Sequence, residues 1–259
     1  MKLILPLLLM TWTAGAQDWA KQKLEKSPRH GEWVKIKSNG RDLETFVVYP
    51  EIKGKAPVVL VIHEIFGLTD WARETADRLA AEGYIAVAPD LLSGKGPGGG
   101  RTSAFASVDD AREAVSKLDE GAVIHDLDAA ADYAKKIAAG NGKLVVAGFC
   151  WGGGQSFRFA THRSDLKAAF VFYGPPPQDP TAAKAPVYGF YGGNDARIGA
   201  TVPGTQKAMK DAKKKYEAVT YDGAGHGFMR SGEDPEGKDG DRTARERAWT
   251  RWLTLLKKL

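Results

Sequence analysis

Apolar and polar positions form two kinds of strand pattern along the chain. Five runs are continuously apolar and bounded by Gly, Pro, Asp or Asn: 57–62, 84–88, 144–148, 168–172 and 187–191. Uninterrupted runs of this length are typical of strands covered on both faces, as in a parallel sheet. Segments 33–38 and 43–49 instead alternate on either side of Asn39-Gly40, which predicts an antiparallel hairpin.

Helical periodicity falls between these runs. Segment 70–82 has it, Leu127 to Ala138 carries apolar residues at i, i+3, i+4 and i+7 spacing, and Trp249 to Leu256 repeats the pattern near the end. Because strands and helices alternate, we expect an α/β fold with a doubly wound, mostly parallel sheet flanked by helices. The N-terminal hairpin would add an antiparallel edge.

One segment interrupts this rhythm. Residues 93–107 contain five glycines and Pro97. The charged stretch that follows, over 108–120, is predicted to be helical. Long loops at strand ends often border the ligand in such folds. Segment 93–120 is therefore either a flexible surface excursion or a lid over the site.

The first sixteen residues have the three parts of a secretory signal. Lys2 precedes an apolar run from Leu3 to Met10, and Ala14-Gly15-Ala16 fits a cleavage site. The apolar run is too short for a permanent span of the bilayer. We expect a single domain over 17–259 that is periplasmic or secreted and leaves the membrane after cleavage; the alternative is a retained N-terminal anchor.

Charge and cysteine content narrow the function classes. The formal net charge is +5, and the basic residues are dispersed apart from 213–215 and 257–258. No basic stripe with interleaved aromatics is visible, which argues against a nucleic-acid partner. Cys150 is the only cysteine, so no disulfide can form within the chain even in an oxidising compartment. A free cysteine is more often a small buried apolar residue than a nucleophile, so its surroundings must decide.

The surroundings of Cys150 favour the nucleophile. Gly148-Phe149-Cys150-Trp151-Gly152-Gly153 directly follows an apolar strand and precedes a helical pattern. This is the form of a nucleophile elbow, with Cys in place of the usual Ser. Glycines on both sides relieve the crowding of a sharp strand-to-helix turn. A thiol at a helix N-terminus is also expected to have a lowered pKa, which favours the thiolate.

An elbow of this kind predicts an acid and then a histidine further along the chain. Asp195 follows the run ending at residue 191, and His226 follows a predicted strand over 217–221. In this interpretation His226 holds the thiolate as an ion pair and Asp195 fixes the imidazole tautomer. Asp90 is the competing acid, although it precedes the nucleophile.

The remaining histidines have less suitable contexts. His30, His125 and His162 lack the flanking glycines of His226 and are interpreted as surface or helix-packing residues.

The segment His63-Glu64-Ile65-Phe66-Gly67 follows the first apolar run. It lacks the second histidine of a zincin motif, and neither a metal nor a cofactor is expected. The loop after an early core strand supplies an oxyanion donor in such folds, so the backbone N–H groups of Ile65 and Trp151 are the candidate pair. Glu64 either has a role in the site or merely caps the next helix.

Taken together and in order, these motifs resemble the dienelactone hydrolase family, the carboxymethylenebutenolidase-like α/β-hydrolases. The resemblance extends from about Trp33 to the C-terminus. It implies that Cys150, Asp195 and His226 form a catalytic triad. It also implies that Ile65 and Trp151 supply the oxyanion hole.

The resemblance also assigns two charged residues. It implies that Glu64 pairs with Cys150 and takes part in thiolate activation on substrate binding, and that Arg230 binds a substrate carboxylate. A solvated loop arginine is the alternative interpretation of Arg230. The chain departs from family members that open dienelactones, because Leu92 and Ser93 stand where those have an aromatic residue and an arginine.

The sequence therefore predicts an exported cysteine-dependent hydrolase of small esters or lactones, acting through a thioester. Arg230 and the excess of lysine favour an anionic substrate. The alternative is a small-molecule binding protein that keeps the pocket without useful catalysis. A redox-sensing thiol would need an intermolecular partner, because Cys150 is the only cysteine.

Overall fold

The computed structural model describes residues 17–259, and the signal segment predicted for 1–16 lies outside them. One eight-stranded sheet organises this part of the chain, with helices packed on both faces. The strands are β1 (Gly31–Ser38), β2 (Arg41–Val48), β3 (Ala56–Ile62), β4 (Ile85–Pro89), β5 (Gly140–Phe149), β6 (Ala169–Phe172), β7 (Val187–Gly192) and β8 (Tyr216–Tyr221). The helices are α1 (Asp18–Glu25), α2 (Asp70–Ala81), α3 (Val108–Ser116), α4 (Glu120–Lys136), α5 (Trp151–His162), α6 (Ala196–Gly199), α7 (Val202–Asp211), α8 (Phe228–Ser231) and α9 (Asp239–Leu256).

The strand order is β1-β2-β4-β3-β5-β6-β7-β8. Strands β3 to β8 run parallel, whereas β2 pairs antiparallel with both β1 and β4. This confirms the predicted α/β fold with an antiparallel edge. The chain moves outward from β3 to β4 on one side and continues from β5 on the other, so β3 and β5 flank the topological switch point. Ligands of doubly wound sheets bind beyond the carboxyl ends of the strands at this point.

The sheet separates two apolar layers, and the layer under α2 and α9 supports the end of β5. The Phe149 ring stacks on Phe172 at 4.7 Å and meets the edges of Trp71 at 5.1 Å and Trp252 at 5.9 Å. All four side chains are fully buried. Aromatic pairs contribute about 0.5–1.5 kcal/mol each beyond their buried area. Residue 150 therefore follows directly on a strand end that is held by a rigid cluster of aromatic side chains.

Segment 93–107 is fastened to the body of the protein through Thr102. The Thr102 hydroxyl accepts a hydrogen bond from the Leu68 N–H at 2.9 Å and donates to the buried Asp90 carboxylate at 2.7 Å. Phe105 packs in a cluster that also contains Ile65 and Trp151. The segment thus lies against the two residues proposed from the sequence as oxyanion donors.

The helical stretch predicted over 108–120 is confirmed as α3 (Val108–Ser116), and α4 begins at Glu120, where the Asp119 side chain accepts from the Ala122 N–H. Helix α1, which the sequence pattern did not predict, docks through the fully buried Ala20. None of the helices within 17–259 is both long and apolar enough to cross a membrane.

Candidate active site

Cys150 lies at a tight bend between β5 and α5. Its backbone has φ of +55°, a left-handed conformation that costs energy for a residue with a side chain. A Cβ at Gly148 would lie 1.9 Å from the carbonyl oxygen of Gly152, and a Cβ at Gly152 would lie 2.3 Å from that of His63. Only glycine fits at either position. The two glycines therefore let the bend form and let it sit directly against the end of β3.

The side chains of Cys150, His226 and Asp195 lie in hydrogen-bonding contact. His226 Nε2 is 3.1 Å from Cys150 Sγ, and His226 Nδ1 is 2.5 Å from Asp195 Oδ2. Asp195 is 7 % exposed, and its other oxygen accepts the Ile198 N–H at the start of α6. A carboxylate oxygen can only accept, so Nδ1 carries a proton. Nε2 of a neutral imidazole is then free to take the thiol proton.

Asp90, the competing acid in the sequence interpretation, is engaged elsewhere. Its carboxylate accepts from Thr102 and from the Leu92 N–H, and the Asp partner of His226 is Asp195. Burial raises the pKa of Asp90 to about 6. The three other candidate histidines, His30, His125 and His162, are exposed.

The two expected oxyanion donors lie near the Cys150 side chain. The backbone N–H groups of Ile65, in the loop after β3, and of Trp151, at the first turn of α5, are close enough to lower the pKa of the thiol, so both favour its anionic form. They come from opposite sides of the switch point. A carbonyl oxygen attacked by the thiol would meet this pair of donors.

The expectation of a lowered thiol pKa is wrong for this site. Burial raises the pKa of the Cys150 thiol, the negative charge of Glu64 raises it further, and the two N–H groups oppose these effects without cancelling them. The Cys150 thiol is accordingly neutral at rest. In this respect the site resembles the serine-histidine arrangement, whose hydroxyl is neutral, more than one with a preformed thiolate.

Glu64, which the resemblance pairs with Cys150 on substrate binding, is bound to Arg230 in this structure. Arg230 Nε donates to Glu64 Oε2 at 2.7 Å, and the Glu64 side chain is only 4 % exposed. The carboxylate is close enough to Cys150 to raise its pKa, but its ion-pair partner is the guanidinium. Thr69, not Glu64, is the N-cap residue of α2, so the interpretation of Glu64 as a helix cap is wrong.

The profile of one protein family matches residues 43–259, and it is described as the dienelactone hydrolase family. The chain belongs to the dienelactone hydrolase family. A relative from Salmonella typhimurium, named "Putative carboxymethylenebutenolidase", is 36% identical over 208 residues, which are 74% of this chain and 76% of the relative.

Solved structures place the fold in the same family. The crystal structure of a "Putative Dienelactone Hydrolase" from Klebsiella pneumoniae superimposes with a TM-score of 0.76 at 30% identity, over 87% of this chain and 97% of that one. A dienelactone hydrolase-like promiscuous phosphotriesterase from metagenomic libraries gives 0.74 at 25% identity, over 89% and 98%.

Tyr173 is a site residue of this family member that sequence reasoning missed. It follows β6 with φ of +41° and is fully buried. Its hydroxyl donates to Glu64 Oε1 at 3.4 Å, and its ring meets the edge of the His226 ring at 5.2 Å. The only signal in the sequence was a tyrosine at the carboxyl end of a core strand. Within residues 17–259, no group of three or more His, Cys, Asp and Glu side chains is placed to hold a metal ion.

The proximity of Glu64 to the thiol predicts a pH effect. Glu64→Gln removes a negative charge that raises the Cys150 pKa, so we expect that pKa to fall. The thiolate fraction below the pKa should then rise. The rate of Cys150 alkylation by iodoacetamide, measured against pH, should reach its midpoint at a lower pH than in the wild type. Glu51→Gln, at an exposed glutamate, is the control; a midpoint that stays or rises in Glu64→Gln contradicts the assignment.

Proposed function

We propose that this member of the dienelactone hydrolase family hydrolyses small esters or lactones with Cys150 as the nucleophile. The observation that carries the proposal is the continuous contact from Cys150 Sγ through His226 to Asp195. The donors at Ile65 and Trp151 support it, because acyl transfer needs both a nucleophile and a place for the developing oxyanion.

The first half of the reaction acylates the enzyme. The sulfur attacks the carbonyl carbon while the thiol proton passes to His226 Nε2, and Asp195 stabilises the imidazolium. The carbonyl oxygen becomes an oxyanion held by the Ile65 and Trp151 N–H groups. When the C–O bond to the leaving alcohol breaks, His226 returns the proton to that alcohol. The product of this half is a thioester on Cys150.

The second half releases the acid. Water attacks the thioester carbonyl while His226 accepts a water proton, and the same two N–H groups hold the oxyanion. The C–S bond then breaks and the proton returns to the sulfur. A lactone follows the same path, with its own ring oxygen as the leaving group.

We further propose that the substrate is an anion bound by Arg230. The guanidinium is partly exposed, with a side-chain exposure of 31%, whereas its partner Glu64 is buried. A substrate carboxylate that displaces Glu64 from Arg230 would leave the Glu64 carboxylate beside the thiol, where it would assist the transfer of the thiol proton to His226. Arg197 adds a second positive charge near the sulfur and favours the thiolate. In this way substrate binding would be coupled to activation.

A hydrolysis screen tests the proposed function. Wild-type protein is assayed with small esters, lactones, thioesters and amides, beside the same protein alkylated at its one cysteine by iodoacetamide. We expect turnover of esters or lactones, faster for those bearing a carboxylate, and its loss on stoichiometric alkylation. Thermal stabilisation by these compounds without product formation would instead identify a binding protein, and activity that survives alkylation would exclude Cys150.

We also propose that the protein is exported to the periplasm or the medium. Support comes from the charged, apolar and small-residue regions of Met1–Ala16. N-terminal sequencing of protein from the producing cells should find a mature chain beginning near Gln17. A chain that keeps Met1 in the cytoplasm would contradict this.

A further inference from the structure

His63 is a buried ring directly behind the candidate active site that the reaction steps above do not use. It follows β3 and is 0 % exposed. Its Nδ1 lies 2.7 Å from the carbonyl oxygen of Glu64, and its Nε2 lies 3.4 Å from the backbone nitrogen of Leu91. The ring also stacks on Trp151, with centroids 5.6 Å apart and planes 17° apart.

These contacts fix one tautomer of the ring. A carbonyl oxygen only accepts, so Nδ1 must carry the proton and donate to Glu64, while Nε2 accepts from the Leu91 N–H. Burial lowers the pKa of His63 to about 4, which keeps the ring neutral at physiological pH. Both ring nitrogens are thus satisfied without a charge.

The carbonyl held by His63 belongs to the same peptide group as the Ile65 N–H. In a trans peptide the C=O and N–H bonds point in opposite directions across one rigid plane, and no cis peptide occurs within residues 17–259. A donor that pulls the Glu64 oxygen away from the site therefore aims the Ile65 N–H into it, towards Cys150. The Gly67 N–H binds the same oxygen at 3.2 Å and closes the turn.

The ring touches the second oxyanion donor as well. Trp151, whose N–H completes the pair, lies flat against the His63 imidazole. Leu91 anchors the far nitrogen to the segment after β4, which adjoins β3 in the sheet. One neutral ring thus connects both donors to the core.

We propose that His63 is a positioning residue that orients the oxyanion hole by holding the Glu64–Ile65 peptide plane. This inference rests on the proposed function, because an oxyanion hole matters only if Cys150 acylates. The contacts of His63 are with Glu64, Leu91 and Trp151 rather than with the thiol. Its effect is exerted through the direction of the Ile65 N–H.

Two variants separate the polar contact from the packing. His63→Phe keeps a flat ring for stacking on Trp151 but loses the donor to Glu64. His63→Asn loses the ring but places a side-chain N–H where Nδ1 was. We expect His63→Phe to lower kcat for ester hydrolysis about tenfold or more with little change in KM. Outright loss of an oxyanion donor costs roughly 10²–10³-fold, and the Gly67 N–H still holds the carbonyl in part. His63→Asn should recover kcat to within about threefold of the wild type.

Alkylation of Cys150 distinguishes a loss of oxyanion stabilisation from general damage to the site, because only general damage would slow alkylation as well as hydrolysis. Displacement of iodide from iodoacetamide forms no oxyanion, so the limiting alkylation rate at alkaline pH should be the same in all three proteins. Equal kcat in His63→Phe and the wild type would overturn the inference, and so would a parallel loss of alkylation and hydrolysis. Failure of His63→Asn to recover would also overturn it.

The same experiment distinguishes this inference from the proposed function. If wild-type Cys150 is not acylated by p-nitrophenyl acetate, the proposed function fails and the inference falls with it. If the wild type is acylated and His63→Phe is acylated equally fast, only the positioning role of His63 is excluded.

Discussion

Replacement of Cys150 with alanine is expected to reduce kcat for esters or lactones by about 10⁴-fold or more, because no other group can form the covalent intermediate. The side chain is partly buried at the bend, and alanine keeps the Cβ that the backbone there already accommodates. The free energy of unfolding should therefore change little. Steady-state kinetics and thermal unfolding of the same preparation measure the two effects.

Cys150→Ser is the matched comparison for this variant. It keeps a nucleophilic atom, but a hydroxyl is a far weaker acid than a thiol and must be deprotonated by His226 during attack. We expect an activity between those of the wild type and Cys150→Ala. Wild-type activity in Cys150→Ala would end the assignment of the nucleophile.

Replacement of His226 with asparagine is expected to lower kcat by about 10³-fold or more, because the thiol is un-ionised at rest and needs a base. Attack, leaving-group departure and deacylation each require a proton transfer at Nε2 in the proposed steps. Raising the pH should restore part of the acylation rate in His226→Asn, since hydroxide can then ionise the sulfur. Deacylation should stay slow, so acylated enzyme should accumulate.

The chain offers a matched control in His162. Its Nε2 pairs with Asp128 at 2.8 Å, so it is also a histidine bound to an aspartate, but it is exposed and at the far end of α5. His162→Asn should keep wild-type kcat and KM. A similar loss in both variants would mean that any broken His–Asp pair harms the protein, and the general-base role of His226 would be lost.

Much of the fold could be predicted from the sequence pattern, because the parallel strands are buried on both faces and are therefore continuously apolar. The apolar run at 144–148 lies wholly within β5, and the turn at Asn39-Gly40 is a two-residue hairpin with φ of +48° and +72°. Helix α1 escaped prediction because a mostly polar segment docks through the single buried Ala20. Its position depends on tertiary contacts that periodicity does not report.

The candidate site also has features that could be predicted from the sequence and features that could not. The order of Cys150, Asp195 and His226 along the chain predicted their meeting, because loops after parallel strands share one edge of the sheet. The partner of Glu64 could not be predicted, since it depends on the approach of Arg230 from α8. The direction of the Cys150 pKa could not be predicted either, since it depends on burial and on the nearby Glu64 charge. A role for His63 could not be predicted from its motif, because that role depends on two tertiary contacts of its ring.

Trapping of the acyl-enzyme tests directly whether Cys150 carries the acyl group during turnover. Wild-type protein is mixed with p-nitrophenyl acetate, quenched in acid within the burst of p-nitrophenol, and analysed by intact mass and peptide mapping. We expect one acetyl group per chain, on Cys150 as a thioester that hydroxylamine removes, and enrichment of this species in His226→Asn. Turnover with no acyl group on Cys150, or with the acyl group on another residue, would contradict this role of Cys150.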